Sequence, residues 1–257
     1  MITSVENPRV KWVRALQTKP RARQEEGLFV IEGLRLAQEA IAAAVPVRLV
    51  LYTDHLDPRG RGLVNSLVRL GAEAQVVSDS VMAACSATET PPGLLAVLPA
   101  PQHALPETVS LALVVDGLAD PGNLGTILRT ALAAGVQAIF LTQATVDAYN
   151  PKVVRAAMGA HFRLPIKELK QADFPTNLDR LALWLAEARA GLPYFRVDWH
   201  APLALVIGSE ASGPGKALRE LATGSVHIPM AGQVESLNAA VAAAVILFEI
   251  VRQRGVP

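Results

Sequence analysis

The sequence predicts an α/β protein of two units in series, a small N-terminal one and a larger C-terminal one whose mostly parallel sheet is flanked by helices. Three observations carry this. Short apolar runs (Leu111–Val115, Ala138–Leu141, Leu203–Ile207) alternate with stretches of helical composition, and continuous apolar strands belong to parallel sheets covered on both faces. The passage Leu98-Pro99-Ala100-Pro101-Gln102-His103-Ala104-Leu105-Pro106 carries three prolines, which disfavour helix and central strand and place a boundary between residues 1–99 and 107–257. The length of 257 residues suits one large domain or two modest ones, at about 150 residues each.

In chain order, Asn7-Pro8 fits a helix cap followed by proline at the first helical position, so the basic residues behind it ride on a short helix. Gly27–Glu32 reads as a strand, Leu34–Ala44 as a helix, Val47–Tyr52 as a strand, Gly62–Leu70 as a helix and Leu94–Leu98 as a closing strand. Beyond the linker, Leu111–Val115 is a strand, Gly122–Ala134 a helix and Ala138–Leu141 a strand. Further buried strands are Leu203–Ile207 and Ser225–Ile228. A last helix runs from about Ser236 to Arg252, with Ser236 the natural N-cap.

Composition narrows the function. Hydrophobic residues make up 51% of the chain and charged ones 18%, more apolar surface than a monomer ordinarily hides, so part of it suits a subunit interface. The longest apolar run, Ala239–Phe248, is far shorter than the roughly 20 residues that cross a bilayer. The N-terminus does not resemble a secretion signal, and a cytoplasmic address is expected. One cysteine, Cys85, excludes an internal disulfide and argues against a cysteine-based metal site; no metal is expected. Net charge is only +1, so any nucleic-acid affinity must be local. Between Glu6 and Glu25 lie Arg9, Lys11, Arg14, Lys19, Arg21 and Arg23 with no acid among them. Such a run is either a solvated face or a phosphate-binding one.

Three segments carry chemistry. Asp116–Ala131 follows a strand and opens a helix, where parallel sheets bind ligands. Its glycines (Gly117, Gly122, Gly125) lack dinucleotide-fingerprint spacing, and its distinctive pair is Asn123 with Arg129. An arginine there binds a phosphate or simply pairs with a surface acid. Leu205–Gly215 is a strand followed by a glycine-rich loop. Glu210 and Ala217 stand where a P-loop needs glycine and Ser or Thr, and a carboxylate would repel a triphosphate. Glu210 therefore points to a ligand with hydroxyl or amine donors, against the plainer reading of a turn with an exposed acid. In Val226–Ala240 a strand ends at Pro229, and helix capping accounts for Ser236 but not for Asn238 in an Ala/Val first turn.

The ordered set N-L-G-T-I-L-R-T-A, I-G-S-E-A-S-G-P-G and I-P-M-A-G-Q-V-E-S-L-N-A-A-V-A closely resembles the motifs of the SpoU/TrmH family of RNA 2′-O-ribose methyltransferases. In the front half, E-N-P-R-V-K and G-L-F-V-I-E-G-L-R-L look like the substrate-binding domain that many members carry. The resemblance implies a SPOUT catalytic domain whose C-terminal part forms a deep trefoil knot, which periodicity would not have suggested. It implies S-adenosylmethionine as cofactor, a homodimer, and structured RNA as substrate, ribosomal ahead of transfer RNA. Gly208, Ile228 and Leu237 would contact the cofactor through backbone groups, with Met230 and Thr142 lining its pocket. Asn123, Arg129, Glu210, Ser236 and Asn238 would surround the reacting ribose. Arg9, Lys11, Arg14, Arg21 and Arg23, with Lys152 and Arg155 from Asn150–Ala160, would contact RNA. Since an arginine stays protonated, Arg129 is read as a phosphate clamp that also steadies the developing alkoxide, while Ser236 or a phosphate oxygen relays the proton. The competing readings are a non-catalytic RNA-binding protein on the same fold and a nicotinamide-dependent enzyme, the latter disfavoured by the glycine spacing.

Overall fold

A computed structural model describes residues 1–232 and 234–255. They form two compact units, Met1–Gln102 with Asp147–Phe162, and His103–Val146 with Arg163–Pro257. The first unit thus recruits a segment from beyond the proline-rich linker.

In the first unit, α1 (Pro8–Thr18) is capped by Asn7, whose side chain accepts from the Arg9 amide. Pro20 ends that run and starts α2 (Pro20–Glu26), so the basic stretch is two helices and not one. The strand β1 (Leu28–Glu32), helix α3 (Leu34–Ala42) and strand β2 (Leu49–Tyr52) lie where the pattern places them. The next helix, α4 (Pro58–Arg69), begins earlier than expected because Asp57 caps it and Pro58 occupies its first turn. Two elements were not anticipated, β3 (Glu73–Val76) and α5 (Asp79–Cys85). β3 is an edge strand with little apolar pattern, and α5 is only seven residues long, capped by Ser78. With β4 (Leu94–Pro99), the sheet order is β1-β4-β2-β3.

The second unit holds β5 (Leu111–Val115), α6 (Pro121–Ala133) and β6 (Ala138–Thr142). The chain then gives α7 (Pro151–Ala157) to the first unit and returns with β7 (Ile166–Leu169), α8 (Phe174–Leu178), β8 (Ala182–Ala186) and β9 (Leu192–Pro193). It closes with β10 (Leu203–Ile207), α9 (Lys216–Leu221), β11 (Gly224–His227) and α10 (Ala239–Arg254). The seven-stranded order is β7-β6-β5-β10-β8-β11-β9, and every recorded pairing is parallel. All five residues of β5, β6 and β10 are buried. One face, through Ala112, Val114, Ala204 and Val206, packs with Leu218 of α9 and Phe174 of α8. The pairing of α6 with α10 supplies further buried helix residues such as Ile127, Leu128, Ile246 and Leu247.

Glu32, a buried carboxylate of the first unit, is matched. Glu32 accepts from Gln17 Nε2 at 2.7 Å, Ser86 Oγ at 2.8 Å and the Ala87 amide at 2.8 Å. His161 lies beside Phe29 and Tyr149, its Nε2 2.7 Å from the Ala148 carbonyl. Burial pushes its pKa down to about 4, against a smaller opposing effect of that carbonyl. The native state binds fewer protons than the unfolded one between about 4 and 6.5, so this stabilisation is complete above 6.5 and lost as pH falls toward 4. Urea denaturation should therefore show stability dropping by on the order of 1–2 kcal/mol from pH 7 to 5. His161→Phe should flatten that limb; an unchanged limb would assign the loss to another group.

Candidate active site

The loops at the carboxyl ends of β5, β6 and β10 are tied by one carboxylate. Asp116, directly after β5, accepts from Thr142 Oγ1 at 2.7 Å and from the Gly215 amide at 2.6 Å. Thr142 in turn accepts from the Gly117 amide at 3.2 Å. The β10 loop is closed on itself, the Gly213 amide donating to the Ser209 carbonyl at 2.9 Å and the Ser212 amide to Ser209 Oγ at 3.1 Å. Gly208 is where this closure demands glycine, because an added Cβ would sit 2.1 Å from the Gly213 carbonyl carbon.

Beside this loop lies a cavity of about 430 Å³, walled by residues 186–190, by 207–213 and by Ile228, Met230, Ser236 and Leu237, with Ala239, Ala242 and Ile246 of α10 behind. Four of the five residues predicted to hold the cofactor, Gly208, Ile228, Met230 and Leu237, line it. Thr142 does not; it is buried and its hydroxyl serves the Asp116 tie.

The predicted catalytic residues converge in part. Asn123 Nδ2 donates to Glu210 Oε1 at 2.7 Å, and Asn238 Nδ2 donates to Asn123 Oδ1 at 2.9 Å. One residue from each motif thus enters a single hydrogen-bonded chain, with Glu210 and the exposed Ser236 both on the cavity wall. Asn238 is also the true cap of α10, its Oδ1 accepting from the Ala240 and Val241 amides. This corrects the assignment of that cap to Ser236, and it accounts for Asn238, which stands just before the first turn and not within it. Ser236 is left free of a capping duty, in the loop before the helix. Arg129 is exposed and is not part of the cavity wall. Six residues along a helix are about 9 Å and some 120° of rotation, so Arg129 lies away from Asn123, on the exposed stripe of Gly122, Thr126 and Ala133.

The predicted RNA-contacting cations divide by their partners. Arg23 is buried, paired to Asp147 at 2.6 Å and donating to the Leu16 carbonyl at 2.7 Å. It binds segments of its own unit together and presents no guanidinium to a phosphate. Arg155 is half-buried, with Nη1 3.9 Å from the Glu32 carboxylate. Arg9, Lys11 and Arg21 are exposed, each beside a glutamate: Glu73, Glu6 and Glu25. Arg14 and Lys152 are exposed, and neither side chain makes a hydrogen bond or ion pair among the described residues.

Three charged cavity residues escaped the sequence reading: Arg189, and Glu187 with Arg219, which pair with each other. Glu187 lies in Ala-Glu-Ala-Arg-Ala after a strand that was itself not foreseen, and Arg219 sits on an ordinary short helix. Only the alternating alanines at 186, 188 and 190 could have hinted at a close approach.

The residues present fit S-adenosylmethionine: glycine and alanine walls admit a flat nucleoside, and carboxylates at the wall suit a cation. Similar proteins identify the family. The SpoU rRNA methylase family model matches residues 110–248, and an MRM3-like substrate-binding domain matches residues 7–96. The 23S rRNA (guanosine(2553)-2′-O)-methyltransferase RlmP of Bacillus subtilis is 34% identical over 97% of this chain and 98% of its own. The chain belongs to the SpoU rRNA methylase family. Among solved structures, an AdoMet-bound rRNA methyltransferase from Sinorhizobium meliloti superposes with a TM-score of 0.87 at 30% identity, covering 98% of this chain and 97% of that one. The SpoU methyltransferase AviRb from Streptomyces viridochromogenes, in complex with AdoMet, gives 0.87 at 30% identity over 97% and 98%.

For this SpoU-family site, Gly208→Ala forces the closed loop apart. Calorimetric affinity for S-adenosylmethionine should fall by on the order of 10-fold or more, since overpacking of this kind costs roughly 1–3 kcal/mol. Unaltered affinity would show that the loop is not the cofactor's wall.

Proposed function

We propose that this protein methylates the 2′-hydroxyl of a ribose in ribosomal RNA, using S-adenosylmethionine, and that it works as a homodimer. The observation that carries the reading is the Asn238–Asn123–Glu210 chain at the edge of the donor cavity, which joins the three motifs in one place.

Gly208, Ile228, Met230 and Leu237 would hold the donor, which supplies an electrophilic methyl carbon on a sulfonium centre. The chain's own residues do the rest by orientation and charge. Asn238 and Asn123 fix the Glu210 carboxylate in place, and holding reacting groups in line is worth several kcal/mol of barrier. The Ser236 hydroxyl, on the cavity wall and free of capping, relays the ribose proton onward to a phosphate oxygen of the RNA. Arg129 clamps the neighbouring phosphate and steadies negative charge on the ribose oxygen. Since Arg129 lies off the cavity wall, it acts from the rim or across a subunit contact.

The dimer is supported by the outer face of α10. Val241 and Phe248, two turns apart and so on one side, are each 49% exposed, which is costly for a face left in water. The trefoil knot is part of the same reading, supported by β10 standing between β5 and β8 and by the cavity that residues 207–213 share with Ile228, Met230, Ser236 and Leu237. So is a cytoplasmic address.

The test is transfer of tritium from labelled S-adenosylmethionine to bulk RNA, followed by digestion to nucleosides. Label should reside in 2′-O-methyl nucleosides; label on a base, or none, would overturn the reading. Arg129→Lys should lose turnover by 10-fold or more, because lysine cannot reproduce a planar bidentate clamp, while donor affinity holds. Near wild-type turnover would remove the clamp role. Phe248→Asp should shift the protein to monomer in sedimentation; a variant that still sediments as a dimer would place the contact elsewhere.

A further inference from the structure

Two carboxylates stand on the wall of the donor cavity, and they differ in charge environment. Among the described residues, Glu210 is met only by the neutral amide of Asn123. Glu187 is met by the Arg219 guanidinium through its Oε1, which leaves Oε2 with no hydrogen-bond partner among the described residues. Arg219 does more than neutralise: its Nε donates to the Pro214 carbonyl at 2.8 Å. One planar group therefore joins the loop after β8 to the end of the loop after β10, both of which wall the cavity.

The loop that carries Glu187 is pinned at both ends. The Glu187 amide donates to the Val226 carbonyl at 2.9 Å. At the other end Gly191, with φ +81°, lies so close to β11 that an added Cβ would fall 1.9 Å from the Ser225 carbonyl oxygen. The side chain of Glu187 is only 13% exposed, so it is held between strand and cavity with few conformations open to it.

Resting on the donor assignment above, we propose that Glu187 is a binding residue for the adenosine ribose of the donor, accepting its vicinal hydroxyls at Oε2, and that Arg219 is the positioning residue that holds it there. An ion-paired carboxylate has little net field left to draw a cation, but its second oxygen remains a strong acceptor for neutral hydroxyl donors. The unpaired Glu210 is the one suited to the cationic end. The pair of carboxylates thus sets which way round the donor lies, with the nucleoside toward residues 186–190 and the sulfonium toward Glu210 and Ser236.

Calorimetry with S-adenosylhomocysteine and its 2′,3′-dideoxyadenosyl analogue tests this in the full-length protein. The wild type should bind the dideoxy analogue on the order of 10-fold or more weakly, the loss typical of a hydrogen bond to a charged group. Glu187→Gln should weaken S-adenosylhomocysteine comparably, yet leave the dideoxy analogue within about twofold of wild type. Arg219→Lys should behave like Glu187→Gln, since one ammonium cannot span both Glu187 and Pro214. Equal binding of the two ligands by the wild type would overturn the proposal without any variant. Equal losses on both ligands in Glu187→Gln would also overturn it, leaving Glu187 a purely structural residue. Failure of the wild type to bind S-adenosylhomocysteine at all would overturn the donor assignment, and this proposal with it.

Discussion

The site depends on β10 being hydrogen-bonded along both edges, to β5 on one side and β8 on the other. A strand in that place delivers its C-terminal loop between those of its neighbours, so residues 208–215 meet both the Asp116 segment and residues 186–190. The register is one of parallel strands buried on both faces, where a slip would put no side chain in water but would misalign every loop at the carboxyl edge. The Asp116 bonds to Thr142 and Gly215 are polar checks on that alignment. They also account for a carboxylate at the end of an otherwise apolar strand.

From this arrangement the chemistry follows with few additional parts. Glycine at 208 lets the loop fold back on itself, alanines at 186, 188 and 190 leave room at the opposite wall, and α10 closes the back. Asn238 does two jobs with one side chain, its oxygen capping α10 and its amide nitrogen reaching Asn123. The start of the last helix is thereby coupled to the start of α6. A helix cap is worth about 1 kcal/mol, so fold and site share a residue at modest expense in stability.

Much of this was legible in the sequence, and the remainder was hidden for physical reasons. Continuous apolar runs marked β5, β6 and β10, and the ordered motifs marked Asn123, Glu210, Ser236 and Asn238. β3, β7, β8 and β9 were missed because short or half-buried strands carry little pattern: β8 alternates buried and half-buried residues within only five positions. The basic run at the N-terminus gave no sign that Arg23 points inward to Asp147, a partner 124 residues away. Periodicity cannot report such a pairing. Ser236 was a sound cap on local grounds, yet Asn238 won, because a cap that also bonds Asn123 satisfies two polar demands at once. Glu187 and Arg219 were invisible singly, and only their meeting across the cavity gives them meaning.

The central claim is that three stretches distant in the chain form one donor site within the C-terminal unit. Amide hydrogen exchange, followed by mass spectrometry with and without S-adenosylhomocysteine, reads this directly. The account predicts added protection in residues 186–191, 208–213 and 228–238 together, with the four-stranded sheet of the first unit unchanged. Protection confined to one of these stretches, or centred on the first unit, would contradict it.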